Sequence, residues 1–272
     1  MAQEQAVDLK QVTKVQQQTW SQGDFSRIGI AGQAVAEDLA EAANVRAGER
    51  VLDVACGAGN GAIAAARRTW GPTVGLDYVP ALLERGRERA AAERLEVEFV
   101  EGDAQELPFE DGSFDVVMSI FGAMFAPDHQ RTADELLRVT RSGGRVAMAN
   151  WTPSGFVGTM FKTVAGHAPP PPGLAPPPLW GTEEHLRDVF GDRISDLSIT
   201  PRHLKMRYRS PEHFIEIFRT WFGPAKVAFE RVGPDGEDAL AGDLRDLLER
   251  SNTDDETLVV PSEYLEVVAT KA

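Results

Sequence analysis

The chain contains one cysteine, Cys56, so neither an internal disulfide framework nor a multi-cysteine metal site is open to it. It also lacks a long apolar run. Residues 1–18 are Gln-rich and of mixed charge, which argues against a signal peptide or membrane span and leads us to expect a cytoplasmic protein. Basic residues are scarce: 28 Lys and Arg against 42 Asp and Glu give a formal net charge of −14. That balance repels nucleic-acid backbones and anionic membranes unless a local basic patch intervenes. The arginine clusters at 85–89 and 202–209 are interleaved with acids or strand residues and read as solvated faces. The five histidines include no ligand-spaced pair, so no metal site is expected. Internal repeats are absent. The remainder, 42% hydrophobic and 26% charged, is ordinary globular material and excludes wholesale disorder.

One stretch stands out, residues 51–61, Val-Leu-Asp-Val-Ala-Cys-Gly-Ala-Gly-Asn-Gly. Its first five residues form an apolar run that suits a buried parallel strand. Gly57, Gly59 and Gly61 then make a turn without Cβ atoms to hold a ligand away, and an Ala-rich helix follows over 63–68. A strand, a glycine turn and a helix N-terminus are the parts of a nucleotide-type pocket, where free N–H groups and the helix dipole meet the ligand. Cys56 lies inside this turn, with no adjacent histidine to activate it.

Around that stretch the pattern alternates. Two helices precede it, one carrying Val12, Val15, Thr19 and Trp20 and the other spanning about 30–43. Further strands are expected over 73–76, 97–100, 114–120 and 145–149, with helices over 80–93 and 133–140, the latter stopped at Gly143 and Gly144. This order implies an α/β, doubly wound, Rossmann-like three-layer sandwich. Beyond Trp151 we expect a helix over 156–165 and an extended proline spacer over 168–178. Then come a helix over 183–190, a strand over 194–208, helices over 211–222, 226–232 and 238–250, and a closing strand over 257–270, bent at Pro261. About seven strands result, mostly parallel with an antiparallel last strand, plus a helical cap. The expected organisation is one compact domain: residues 1–44 as part of the cap, 45–152 as the cofactor-binding core, and 153–272 as cap segment and completion of the sheet.

In such a sheet the ligand lies beyond the carboxyl ends of the strands. Asp53, Asp77 and Asp103 collect there. Asp77 has the spacing of an acid that accepts both hydroxyls of a ribose. Asp103 can receive an exocyclic adenine amine while the amide of Ala104 meets a ring nitrogen, and Asp53 attracts a cationic amine. A ligand with amine, ribose and adenine but no phosphate suits this acidic set better than a dinucleotide does.

Four segments, 51–61, 75–77, 101–115 and 136–145, resemble the class I S-adenosylmethionine-dependent methyltransferases, and most of all the ubiquinone/menaquinone-biosynthesis type. The resemblance runs over about residues 45–150. It implies S-adenosyl-L-methionine as cofactor, with Gly57 and Gly59 at the methionine end, Asp77 at the ribose, Asp103 and Ala104 at the adenine, and Ile120 and Phe121 beneath the sulfonium; Asp53, Cys56 and Tyr78 complete the cofactor-facing set. Two positions depart from the family pattern. Ala55 replaces a glycine, which is tolerable if its φ stays negative, and Ala58 stands where threonine is frequent.

The expected activity is methyl transfer to a small organic acceptor, aromatic or quinol-like, by in-line displacement. A base is needed only for an acceptor that arrives protonated, and His129, just past the fourth strand, is the candidate. Trp20, Phe25, Trp151 and His167 are candidates for the substrate pocket, whereas the stripe Phe214, Ile217, Phe218, Trp221 has core spacing. Two alternatives stay open. Gly57-x-Gly59-x-x-Ala62 fits a loose dinucleotide pattern, which would make the chain an NAD(P)-dependent oxidoreductase. A non-catalytic S-adenosylmethionine-binding sensor or scaffold is the other, and the oligomeric state is not legible.

Overall fold

The computed structural model describes residues 8–272, so the first seven residues of the expected N-terminal cap lie outside the described residues. Seven strands form one sheet in the order β3-β2-β1-β4-β5-β7-β6. They are β1 (Val51–Val54), β2 (Thr73–Asp77), β3 (Glu98–Glu101), β4 (Phe114–Ile120), β5 (Thr140–Trp151), β6 (Ile194–Tyr208) and β7 (Leu258–Lys271). The first five run parallel, and β7 is antiparallel to both β5 and β6. All residues of β1 and β2 are buried, as central parallel strands covered on both faces must be.

The helices in chain order are α1 (Leu9–Trp20), α2 (Ser26–Gly29), α3 (Gln33–Ala42), α4 (Asn60–Thr69), α5 (Pro80–Ala92), α6 (His129–Val139), α7 (Phe156–His167), α8 (Glu183–Phe190), α9 (Pro211–Trp221) and α10 (Gly223–Ser251). Local chemistry sets several of their starts. Gly59, at φ 80°, precedes α4; Pro80 opens α5 where no N–H partner is needed; and the Asp128 carboxylate caps α6 by accepting from the Arg131 N–H at 2.9 Å.

Strand order reverses between β1 and β4, which places a crevice at their carboxyl ends. Ser119 ties these two ends together, donating to the Val54 carbonyl at 2.8 Å and accepting from the Ala123 N–H at 2.9 Å. The strand tips around the crevice are therefore fixed relative to one another.

The structure differs from the sequence-based expectation in three places. The helix expected to stop at Gly143 ends at Val139, because the Thr140 hydroxyl folds back on the Leu136 carbonyl and residues 141–144 become a bulge at the start of β5. The two late helices, by contrast, are present as expected, as the two arms of α10 on either side of a kink at Gly233 (φ 68°, ψ 179°) just before Pro234. The end of the proline segment is docked rather than spacing: Pro177–Gly181 is a 3-10 turn in which Trp180 is fully buried. The last strand keeps its register with β6 through Pro261, which sits where β7 has a partner on one side only.

Candidate functional site

A cleft enclosing about 930 Å³ of space, part of it open solvent, occupies the crevice. Its floor is the tips of β1, β2 and β4 with the glycine turn, its far wall is the 102–105 turn after β3, and its roof is α1 and α2.

The floor holds two buried carboxyls, Asp53 and Asp77. Asp53 is 1% exposed; its Oδ2 accepts from the Ala62 N–H at 2.8 Å, while Oδ1 has no hydrogen-bond partner. Burial pushes its carboxyl up to about 7, against the pull of the Ala62 amide, and the nearby Asp77 charge adds to the rise. Asp77 accepts from the Gly57 N–H at 2.8 Å and the Val79 N–H at 2.9 Å. Burial raises it to about 6 despite those bonds. Burial, with Asp53 and Asp77 beside it, also holds the Cys56 thiol protonated, so it is no nucleophile. Tyr78 is pushed up by burial and then by the charges of Asp77 and Asp103.

Backbone closeness shapes this floor. A Cβ on Gly61 would fall 2.7 Å from the Asp53 carboxylate, and one on Gly122 would fall 2.2 Å from the Ala55 carbonyl. Ala55 itself has φ 52°, which corrects the expectation of a negative φ. The turn holds an alanine in the left-handed region, at a cost of about 1–2 kcal/mol. Phe121 is similarly strained at φ 56°, and its ring stacks on Trp151 with centroids 3.8 Å apart and 4° between planes.

Of the residues singled out from sequence, Asp53, Cys56, Gly57, Asp77, Tyr78, Asp103, Ala104, Ile120, Phe121, Trp20 and Phe25 all line this cavity. Four do not. Gly59 shapes the turn from behind, where an added Cβ would meet the Phe99 ring at 2.9 Å. Trp151 lies one layer back, under Phe121. His167 pairs with Asp243 at 2.7 Å on the cap. His129, the expected base, is 5% exposed behind the wall, its Nδ1 2.9 Å from His185 Nε2 and its ring against Trp180. Burial and then His185 lower its pKa to about 4. It is neutral near pH 7 but has no contact with the cavity.

Sequence reasoning missed the polar rim. Gln105 donates to Thr13 of α1 at 2.9 Å and to both oxygens of Asp103 at 3.1 and 3.2 Å, and Gln17 of α1 donates to the Tyr78 carbonyl at 2.5 Å. These bonds hold α1 over the mouth. Phe125, Ala126 and Pro127 extend the wall. Trp20 meets Phe25 and Phe125 edge-on, with centroids 5.4 and 5.1 Å apart. One end of the cavity is thus acidic and the other aromatic.

The orphaned Asp53 Oδ1 can take a buried cationic amine, the cradle that a Cβ would fill at Gly61 and Gly122 admits a ligand backbone-close, and the Asp77 and Asp103 carboxylates can accept from hydroxyl and amine donors. Among the described residues, no group of three or more His, Cys, Asp or Glu could hold a metal ion, and no helix is long and apolar enough to cross a membrane.

Comparison with known proteins agrees with this geometry. A family described as a methyltransferase domain matches residues 51–144. The uncharacterized protein Rv1403c of Mycobacterium tuberculosis is 40% identical over 223 residues, covering 81% of each chain. The demethylmenaquinone methyltransferase of Deinococcus radiodurans is 40% identical over 124 residues, 44% of this chain and 52% of that one. Among solved structures, the YcgJ protein of Bacillus subtilis superposes with a TM-score of 0.61 at 19% identity, covering 88% of this chain and 98% of that chain.

Proposed function

Because the chain contains a class I S-adenosylmethionine-dependent methyltransferase domain, we propose that it methylates a small organic acceptor with a flat, largely apolar nucleus, aromatic or quinol-like. The observation that carries this reading is the aromatic end of the cavity, where Trp20, Phe25, Phe121 and Phe125 continue the space beyond the acidic floor. Apolar walls with a few placed polar groups are what a small organic ligand needs. The match to the Deinococcus quinone enzyme stops at 44% of the chain, so it supports the transfer chemistry more than the quinone.

The residues present fit the cofactor. Asp53 would take its ammonium group, the Gly57 turn its carboxylate end, Asp77 its ribose hydroxyls, and Asp103 with the Ala104 amide its adenine. When bound, S-adenosylmethionine supplies a methyl group already electrophilic on a cationic sulfur. The net charge of −14 favours the approach of such a cation.

The remaining work is positioning. Trp20 and Phe25 hold the acceptor ring, α1 excludes water, and Ile120 and Phe121 fix the floor at the reacting end. Orientation of this kind supplies about 7–11 kcal/mol where the alignment is good. All five histidines lie off the cavity lining, so our reading uses no histidine base. The acceptor would arrive as its anion, its proton already lost to bulk solvent, so no base is needed beside the cofactor.

Incubation with methyl-labelled S-adenosylmethionine and a panel of phenols, amines and quinols tests this. Label in an extractable aromatic product is the expected result. Label that passes only to amines, or to none of the panel, would overturn the acceptor class.

A further inference from the structure

A second cavity, about 470 Å³, lies in the cap between α7, α9 and both arms of α10. Its lining is apolar, with Phe161, Phe218, Ala225, Ala228, Phe229 and Leu244 among its walls. Such a space offers nothing to a polar group and suits an apolar one.

Aromatic rings of its lining touch aromatic rings of the first cavity's lining. Trp20, on the first, meets Phe222, on the second, at 5.4 Å between centroids; Phe25 meets Phe222 at 6.0 Å; and Phe125 meets Phe161 at 5.8 Å. Phe222 is the extended residue joining α9 to α10, at φ −91° and ψ 99°, outside either helix. The joint is also where the N-terminal roof is fastened. A Cβ on Gly23 would fall 2.1 Å from the Trp221 carbonyl and one on Gly223 2.1 Å from the Thr19 carbonyl, and the Asp24 N–H donates to Trp221 at 3.0 Å. Roof, partition and cap helix therefore meet at one backbone-tight junction.

We propose that the cap cavity is a tail site: the acceptor carries an unbranched hydrocarbon chain that passes the Trp20–Phe222 partition and lies between α7, α9 and α10 while its nucleus stays beside the cofactor. This rests on the first cavity being the acceptor site. Each buried methylene then tightens binding by roughly fourfold until the cavity is full.

The test uses 4-n-alkylphenols from ethyl to dodecyl, with the full chain saturated by S-adenosylhomocysteine, and Kd measured by calorimetry. In the wild type Kd falls about fourfold per methylene over the middle of the series. Ala228→Trp, which fills the cavity, flattens that dependence while S-adenosylhomocysteine affinity stays within about twofold. Ala225→Phe, at a half-buried position, repeats the test with less strain on packing. A wild-type Kd that ignores chain length overturns the tail site, as does an unchanged slope in a filled variant that still binds S-adenosylhomocysteine. Methyl transfer to the same phenols is scored separately. Chain-dependent binding without transfer keeps the tail site and removes the phenolic acceptor, whereas transfer to ethylphenol without chain dependence does the reverse.

Discussion

Replacing Asp53 by asparagine separates what the fold needs from what the cofactor needs. The carboxyl is 1% exposed, and its pKa rises from an ordinary 3.8 to about 7. The folded state thus holds the proton more tightly than the unfolded state does. The stability gained by that protonation is full below about pH 4 and is lost as pH rises through about 7, a change of about 4 kcal/mol at most. At pH 8 the wild type bears a buried charge with one orphaned oxygen. Asp53→Asn keeps an acceptor for the Ala62 N–H and removes the charge. We expect it to melt about 5–10 °C higher than wild type at pH 8, with the advantage shrinking toward pH 4. Its affinity for S-adenosylhomocysteine should fall about 10- to 100-fold, the loss of a charge-assisted bond to the ammonium. Differential scanning calorimetry across pH and titration calorimetry at pH 8 measure both. A variant no more stable at pH 8, with affinity intact, would refute the reasoning.

Other expectations follow from the same geometry. Because Asp53 and Asp77 must ionise to hold a cationic, hydroxyl-bearing ligand, wild-type affinity for S-adenosylhomocysteine should rise roughly a hundredfold from pH 5.5 to 7.5, with proton release seen as a buffer-dependent binding enthalpy; a flat profile would contradict it. Ala55→Gly should raise stability by about 1 kcal/mol in denaturant melts by relieving φ 52°. A loss of stability would show that the methyl packing outweighs the strain. His129→Phe should leave kcat unchanged while its loss of stability between pH 6.5 and 4 becomes shallower than that of wild type, since a histidine lowered to about 4 resists protonation only in the folded state. A collapse of kcat in a folded variant would restore His129 to the chemistry.

What could be read from sequence was local. The acids at the tips of β1 and β2 and in the turn after β3 lie within a few residues of the strands that position them, and strand and turn chemistry announce themselves over such distances. Trp20 and Phe25 flank a turn beside the glycine stretch and were readable for the same reason. The misses were non-local. His129 is taken from the cavity by His185, 56 residues away, and His167 by Asp243, 76 residues away. Gln105 gains its place through Thr13, 92 residues distant. Trp151 sits on the next layer because the Phe121 ring, at a positive φ, covers it. The left-handed Ala55 is set by the close passage of Gly122, which no local pattern records.

The most direct test of the account is titration of the wild type and Asp77→Ala with S-adenosylhomocysteine at pH 7.5. The account predicts one site per chain in the wild type and a loss of roughly 1–3 kcal/mol in the variant, about 5- to 150-fold, as the ribose loses a charge-assisted partner. No heat of binding in the wild type, or equal affinity in both proteins, would contradict it.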